Sequence, residues 1–260
     1  MSEKFGQAIE ARIQDKISNT DIPAVVMGKI SKSGEMFFSS DGPSRWDRDG
    51  DITPQNIFNI ASMTKALTSV AVLQLVEQGQ VALDESLDQH LPEMSKRLIL
   101  NQDNQIIEPK NSITLRHLLT HTAGFGYWFT SPQLVRWDQL KTEINWMENY
   151  QPRLFESGSS FMYGTNIDSV GRLVEKISGI DLEQYFRRNI SGPLGMDSTW
   201  YNVPDELEHL VVGSSYRNSD NGTVIKKEYQ KMIPSKNFNG GGGLSSSPED
   251  YGQFLACMLN

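Results

Sequence analysis

The apolar positions from Phe58 to Gly79 (FNIASMTKALTSVAVLQLVEQG) organise the chain. Met63, Ala66, Leu67, Val70, Ala71 and Leu73 fall at helical spacing, no Pro or Gly interrupts 63–78, and Gly79 supplies a C′ stop. The run AVLQLV is apolar nearly all round, which predicts a buried helix rather than an amphipathic one. Upstream, MSEKFGQAIEARIQDKI has the pattern of an amphipathic helix, and Ile22-Pro23 breaks it. Ala24–Ser31 and Glu35–Ser40 then read as a hairpin turning at Ser33-Gly34. A two-stranded unit does not stand alone, so it must pack on the long helix or join further strands.

Downstream, 81–94 is loop-like with Pro92 as a breaker, and 101–112 is a polar connection. A helix over 115–122 follows, N-capped by Thr114 and ended by Gly124. His121, near its C-terminus, is favourably placed against the helix dipole, and packing or capping is the favoured role over catalysis. Residues 125–160 hold Phe125, Tyr127, Trp128, Phe129, Trp137 and Trp146, a set fit either to wall an apolar acyl pocket or to form the core of a small helical subdomain. Thr165 and Asp168 predict a capping box for a helix whose buried face is Ile167, Val170, Val174 and Ile177, with Gly179 as the stop. Asp181 and Gln184 cap the next helix, EQYFRRNI. Residues 201–236 carry no usable pattern, and glycines 240–243 permit close backbone approach without a phosphate-loop Lys after them. Ser247, Pro248 and Asp250 open a last helix as N-cap, N1 and N3.

Chemistry enters at the start of the long helix. Ser62 and Lys65 are three residues apart, so they share a face and the amine reaches the hydroxyl. Serine is a weak nucleophile until a neighbouring base takes its proton, and burial beside an apolar helix lowers a lysine pKa enough for that task. The helix N-terminus adds N–H groups suited to an oxyanion. Taken alone, S-x-x-K is common, and Ser62 as a plain N-cap is the default reading. Tyr163 sits just before another helix N-terminus, where it is either packed or, beside a lysine, able to relay a proton.

Composition narrows the classes. The 260 residues, 38% hydrophobic and 22% charged, suit one or two globular domains. A net charge of −8 without a Lys/Arg cluster argues against a nucleic-acid surface. The lone cysteine, Cys257, precludes an internal disulfide and fits a cytoplasmic location, and its FLACML setting reads as helix core. No apolar run is long enough to span a membrane, the four histidines form no metal-ligand spacing, and no nucleotide loop is present, so no metal or cofactor is expected. Oligomeric state is not legible.

SMTK at 62–65, ITLRHLLTHTAG at 113–124, YGTNID at 163–168, GPLGM at 192–196 and GGGGLSSSPEDYGQFL at 240–255 together resemble the serine β-lactamase-like superfamily. Within its class C-like branch they are most similar to family VIII carboxylesterases and related acyltransferases or transesterases. The resemblance implies an α/β (α+β) β-lactamase/transpeptidase-like fold: an antiparallel sheet flanked by helices plus an all-helical subdomain. Residues 1–80 and 200–260 would form the partial α/β domain and 81–199 the inserted helical one. It implies Ser62 as acylated nucleophile, Lys65 as its activating partner, Tyr163 as proton shuttle and the Ser62 backbone N–H as an oxyanion donor. Tyr127, Trp128 and Thr165 would contact a small ester or acyl substrate, with no cofactor.

Two departures qualify the likeness. The lactamase Y-x-N motif has Thr165 at its third position and Asn166 one place late, which favours ester hydrolysis or acyl transfer over lactam hydrolysis. The family's third motif (K-T-G, W-x-G or H-x-G) lies on strands beyond the 248–258 helix, and HTAG at 121–124 is misplaced for it. The expectation is therefore a C-terminally truncated chain with an incomplete sheet and little turnover by itself. Rivals on the same scaffold are a β-lactamase or D-amino-acid peptidase; a rival of another class is a non-catalytic acyl- or peptidoglycan-binding or structural homologue.

Overall fold

The computed structural model describes residues 8–13, 15, 22–95, 97–143 and 151–260. Its helices are α1 (8–13), α2 (Thr64–Glu77), α3 (Pro92–Ser95), α4 (Leu115–Leu119), α5 (Pro132–Glu143), α6 (Asn166–Ser178), α7 (Leu182–Phe186) and α8 (Pro248–Met258). Its strands are β1 (Val25–Ile30), β2 (Met36–Asp41), β3 (Phe58–Asn59), β4 (Ile99–Leu100), β5 (Ile106–Ile107), β6 (Ser215–Arg217), β7 (Val224–Lys226) and β8 (Ser245–Ser246). The chain divides into two compact units, one of 1–61, 187–237 and 244–260, the other of 62–186 and 238–243.

In the first unit β1 and β2 form the expected antiparallel hairpin, Val25 opposite Asp41 and Ile30 opposite Met36. Gly34 turns it with φ +79°, a conformation glycine adopts without steric cost. Its helical partner is α8, not the long helix. The approach is close because Gly252 faces the hairpin: a Cβ there would lie 2.9 Å from Met36 Sδ. Ser247 caps α8 as expected, accepting from the Asp250 N–H at 3.1 Å. Cys257 is exposed rather than in the core, because it falls in the last turn of α8, where Met258 and Leu259 are exposed as well. β3 pairs with β8, and Trp200 bridges to Ser245. The polar stretch after 200 does hold structure: a 3-10 turn at Asp205–Leu210 and the β6–β7 hairpin, turned at Asn221-Gly222. The strands thus form short antiparallel pairs among the described residues rather than one wide sheet.

The second unit is mainly helical. α6 packs on α2, α4 and α7, burying Ile167, Val170, Leu173 and Val174 of α6 and Leu67, Ala71, Val72 and Leu75 of α2. Gly179 ends α6 in the left-handed conformation, as the pattern predicts. α2 is not buried all round. Met63 before it and Leu73 within it are exposed, and two threonines, Thr64 and Thr68, occupy fully buried positions instead. Thr68 is accommodated because its hydroxyl donates to the Gly240 carbonyl at 2.7 Å.

Other local corrections have simple causes. Pro92 opens α3 rather than breaking a helix, since proline at a first helical position loses no bond. The polar 101–112 stretch contains a tight turn, with Asn104 at φ +58°, that pairs β4 with β5. α4 ends at Leu119, before the expected 122, because His121 already leaves helical geometry at φ +56°. Thr114 caps α4 as expected, and Asp181 accepts from the Gln184 N–H at α7.

Candidate active site

Ser62 lies in a single 3-10 turn, Ala61–Met63, that feeds into α2. It is not the N-cap: that place belongs to Met63, which makes no side-chain capping bond. Ala61, just before it, has φ +44°, a conformation costing an L-residue about 1–2 kcal/mol. Ser62 is left exposed, and Lys65, one turn on, donates from Nζ to Ser62 Oγ at 3.0 Å.

The same amine donates to the Gly241 carbonyl at 2.6 Å, and Thr68, the next residue along that helix face, holds the Gly240 carbonyl. The glycine run is therefore a backbone strap laid against two helices. A Cβ on Gly240 would lie 2.7 Å from the Ile167 carbonyl oxygen and 2.9 Å from Gly171 Cα, and one on Gly241 would lie 2.0 Å from Asp168 Oδ1. Only bare backbone fits there. The spacing of Lys65 and Thr68 on one otherwise apolar face was the sequence signal for this strap.

Tyr163 comes to the same point from the loop before α6. Its ring stands beside the amine, with Lys65 Nζ 5.0 Å from the ring centroid. Partial burial pushes the phenol up, but the nearby Ser62 hydroxyl and the Lys65 ammonium outweigh it, so Tyr163 is held below the ordinary tyrosine value. Tyr127 flanks Lys65 on another side, its ring centroid 5.8 Å from Nζ, and there burial wins and raises the phenol. At Lys65 the expected direction is reversed. Burial does pull it down, yet the neighbouring Tyr163 and Tyr127 phenols raise it overall, which favours the ammonium. Two phenols shifted in opposite directions thus flank one cation.

The capping box expected of Thr165 and Asp168 does not form. Thr165 makes no capping bond, and the Asp168 carboxyl lies against the Gly241 backbone with Oδ1 unpartnered among the described residues. Burial raises its pKa against the opposing pull of the Gly241 amide, Lys65 and Arg172. Thr165 faces a hollow of about 220 Å³ shared with Asp168 and Arg172. Asn166 is fully buried and points inward, its Nδ2 on His121 Nδ1 (3.0 Å), the Phe125 carbonyl (3.1 Å) and the Met162 carbonyl (3.4 Å).

The aromatic stretch divides by burial. Phe125 and Trp137 are core, while Trp128 (69% exposed) and Phe129 (63%) stand outside; Trp146 lies beyond the described residues. Tyr127 stacks on Phe129 at 4.9 Å and 10° and meets the Tyr163 ring edge-on at 5.7 Å. Trp128 meets Phe129 at 5.5 Å. Among the described residues no cluster of His, Cys, Asp or Glu is able to hold a metal, and no helix is long and apolar enough to cross a membrane. Ser62, Lys65, Tyr127, Tyr163 and the strap all belong to the second unit. His121, Asn166, Asp168 and Gly241 are the neighbours that motif reading did not place beside these groups.

Known proteins share this arrangement of chain. The acyltransferase mokF of Monascus pilosus is 31% identical over 96% of this chain and 66% of its own length. Lovastatin esterase of Penicillium rubens is 30% identical over 96% of this chain and 68% of its own. Simvastatin synthase (LovD) of Aspergillus terreus superposes with a TM-score of 0.84 at 29% identity, covering 97% of this chain and 67% of that one. The chain spans about two thirds of the length of such relatives, 66% for mokF. Its mixture of helices and antiparallel strand pairs is the β-lactamase/transpeptidase-like fold. The beta-lactamase family model matches residues 9–260, the whole of the machinery around Ser62 included, and the chain belongs to that family.

Proposed function

We propose that the protein is a serine-dependent carboxylesterase or acyltransferase acting through an acyl-enzyme on small ester substrates. The observation that carries this reading is the contact of Lys65 Nζ with Ser62 Oγ at 3.0 Å, with the Tyr163 ring beside the same amine at 5.0 Å. The relatives named acyltransferase and esterase support it. In this scheme Tyr163, its phenolate favoured by the Lys65 ammonium, takes the Ser62 proton as Oγ attacks the ester carbonyl. The Ser62 N–H shares the oxyanion. Tyr163 returns the proton to the departing alkoxide, then repeats the cycle with water or an alcohol to release acid or a new ester.

Tyr127 and Trp128, with Phe129, would wall the approach for the apolar part of the substrate, whereas Thr165 faces the hollow it shares with Asp168 and Arg172. Lactam hydrolysis is disfavoured because the amide nearest the Y-x-N position, Asn166, is spent on buried partners. A cytoplasmic location rests on the single cysteine and is checked by cell fractionation.

Intact mass after fluorophosphonate treatment tests the assignment. The adduct should map to Ser62, vanish in Ser62→Ala and be lost in Lys65→Ala, and p-nitrophenyl ester turnover should exceed nitrocefin turnover. Labelling retained in Ser62→Ala ends the proposal. Because Tyr163 is held below the ordinary tyrosine value of about 10, the acylation rate should rise with pH and level off below that value. A midpoint at or above 10 removes Tyr163 as the base.

A further inference from the structure

His121 is bound into the cluster in a way its place after α4 does not require. Its backbone is left-handed at φ +56°, a conformation unfavourable for a residue with a Cβ. The side chain does not cap its own helix. Nδ1 instead faces Asn166 Nδ2 at 3.0 Å and the Gly164 N–H at 3.4 Å. The Asn166 nitrogen also faces the Phe125 and Met162 carbonyls, so it is the NH2 end of the amide and donates. Nδ1 is therefore an acceptor without a proton, and the ring is neutral.

Two more observations tie this ring to the reactive groups. Its centroid lies 4.7 Å from that of Tyr163, tilted by 36°, with Phe161 edge-on at 6.2 Å. Gly164 and Asn166, the two donors, bracket the turn immediately after Tyr163, and Gly164 is pressed so closely on the Phe125 carbonyl that a Cβ would come within 2.3 Å. Tyr163 itself is 39% exposed, and its described ring neighbours are His121 and, edge-on, Tyr127. Burial and the nearby Lys65 charge both oppose protonation of the ring.

We propose that neutral His121, oriented by Asn166 and Gly164, is a positioning residue that holds the Tyr163 phenol against Ser62 and Lys65. This rests on the reading of Tyr163 as the proton shuttle. His121 touches no reacting atom and acts only through Tyr163.

A double-mutant cycle on the rate of fluorophosphonate labelling of the full chain tests it. His121→Asn tolerates the left-handed backbone and keeps an acceptor near Nδ1 but removes the ring. It should slow labelling on the order of 10²-fold, the scale of an ångström-level misplacement. Asn166→Leu releases the ring without touching the His121 backbone and should slow labelling in the same direction. In a Tyr163→Phe background both changes should be silent within about twofold, because the group they position is gone. Wild-type labelling in His121→Asn, or an equal loss with and without the Tyr163 hydroxyl, overturns the proposal, as does failure of both single variants to fold. If Tyr163→Phe itself labels at the wild-type rate, the proton-shuttle reading falls and the positioning role falls with it. A slow Tyr163→Phe beside a normal His121→Asn sinks the positioning role alone.

Discussion

Helices α6 and α8 open on the same signature, Thr165-x-x-Asp168 and Ser247-x-x-Asp250, yet use it in opposite ways. At α8 the local rule holds. Ser247 caps the helix, and the buried Asp250 carboxylate accepts from the Ser198 N–H at 2.7 Å and the Thr199 hydroxyl at 2.8 Å. At α6 Thr165 caps nothing, and Asp168 faces the strap that holds Lys65, with one oxygen unpartnered among the described residues. Both carboxyls look away from their own helix starts, but only at α8 does the hydroxyl cap form and the carboxylate meet donors; at α6 it meets the backbone strap instead.

The comparison breaks or sharpens under substitution. The largest effect is expected from Gly241→Ala, whose methyl would enter the space of Asp168 Oδ1 and shift the carbonyl holding Lys65. Serine labelling should fall on the order of 10²-fold; a normal rate would show that the strap does not set the amine. Asp250→Ala should leave labelling unchanged but, by orphaning two buried donors, cost about 1–3 kcal/mol in denaturant unfolding. Ser247→Ala should cost about 1 kcal/mol, whereas Thr165→Ala should change stability by less than about 0.5 kcal/mol. Equal costs would erase the contrast between the two helix starts.

The smallest effect concerns pH. Burial raises the Asp168 carboxyl, so the folded chain binds that proton more tightly than the unfolded one. Its contribution therefore lowers stability as pH climbs from the ordinary carboxyl range through the raised folded value. Asp168→Asn should be relatively more stable at neutral pH, with the gain vanishing toward acid. A gain that grows toward acid would mean the direction at Asp168 is wrong.

Much of this was legible in the one-dimensional pattern. The β1–β2 hairpin with Gly34, the Gly79 and Gly179 stops, and the caps Thr114, Asp181 and Ser247 all rest on neighbours a few residues apart. So does the reach of Lys65 to Ser62, one helical turn away. Harder to read was everything that depends on partners far along the chain. Thr68 is a misfit on an apolar face until Gly240 lies beside it, and the glycines have no evident purpose until α2 and α6 press on them.

Sequence by itself therefore determined α2, α4, α6 and α8, with α2 and α4 bounded to within a turn, and which hydroxyl and amine share a face, because those follow from covalent spacing and the 3.6-residue repeat. Tertiary structure alone decided the charge state favoured at Lys65, the inward turn of Asn166 and the placing of His121 beneath Tyr163. Electrostatic shifts depend on what stands within a few ångströms, and those neighbours come from segments some 40 to 180 residues apart in the chain.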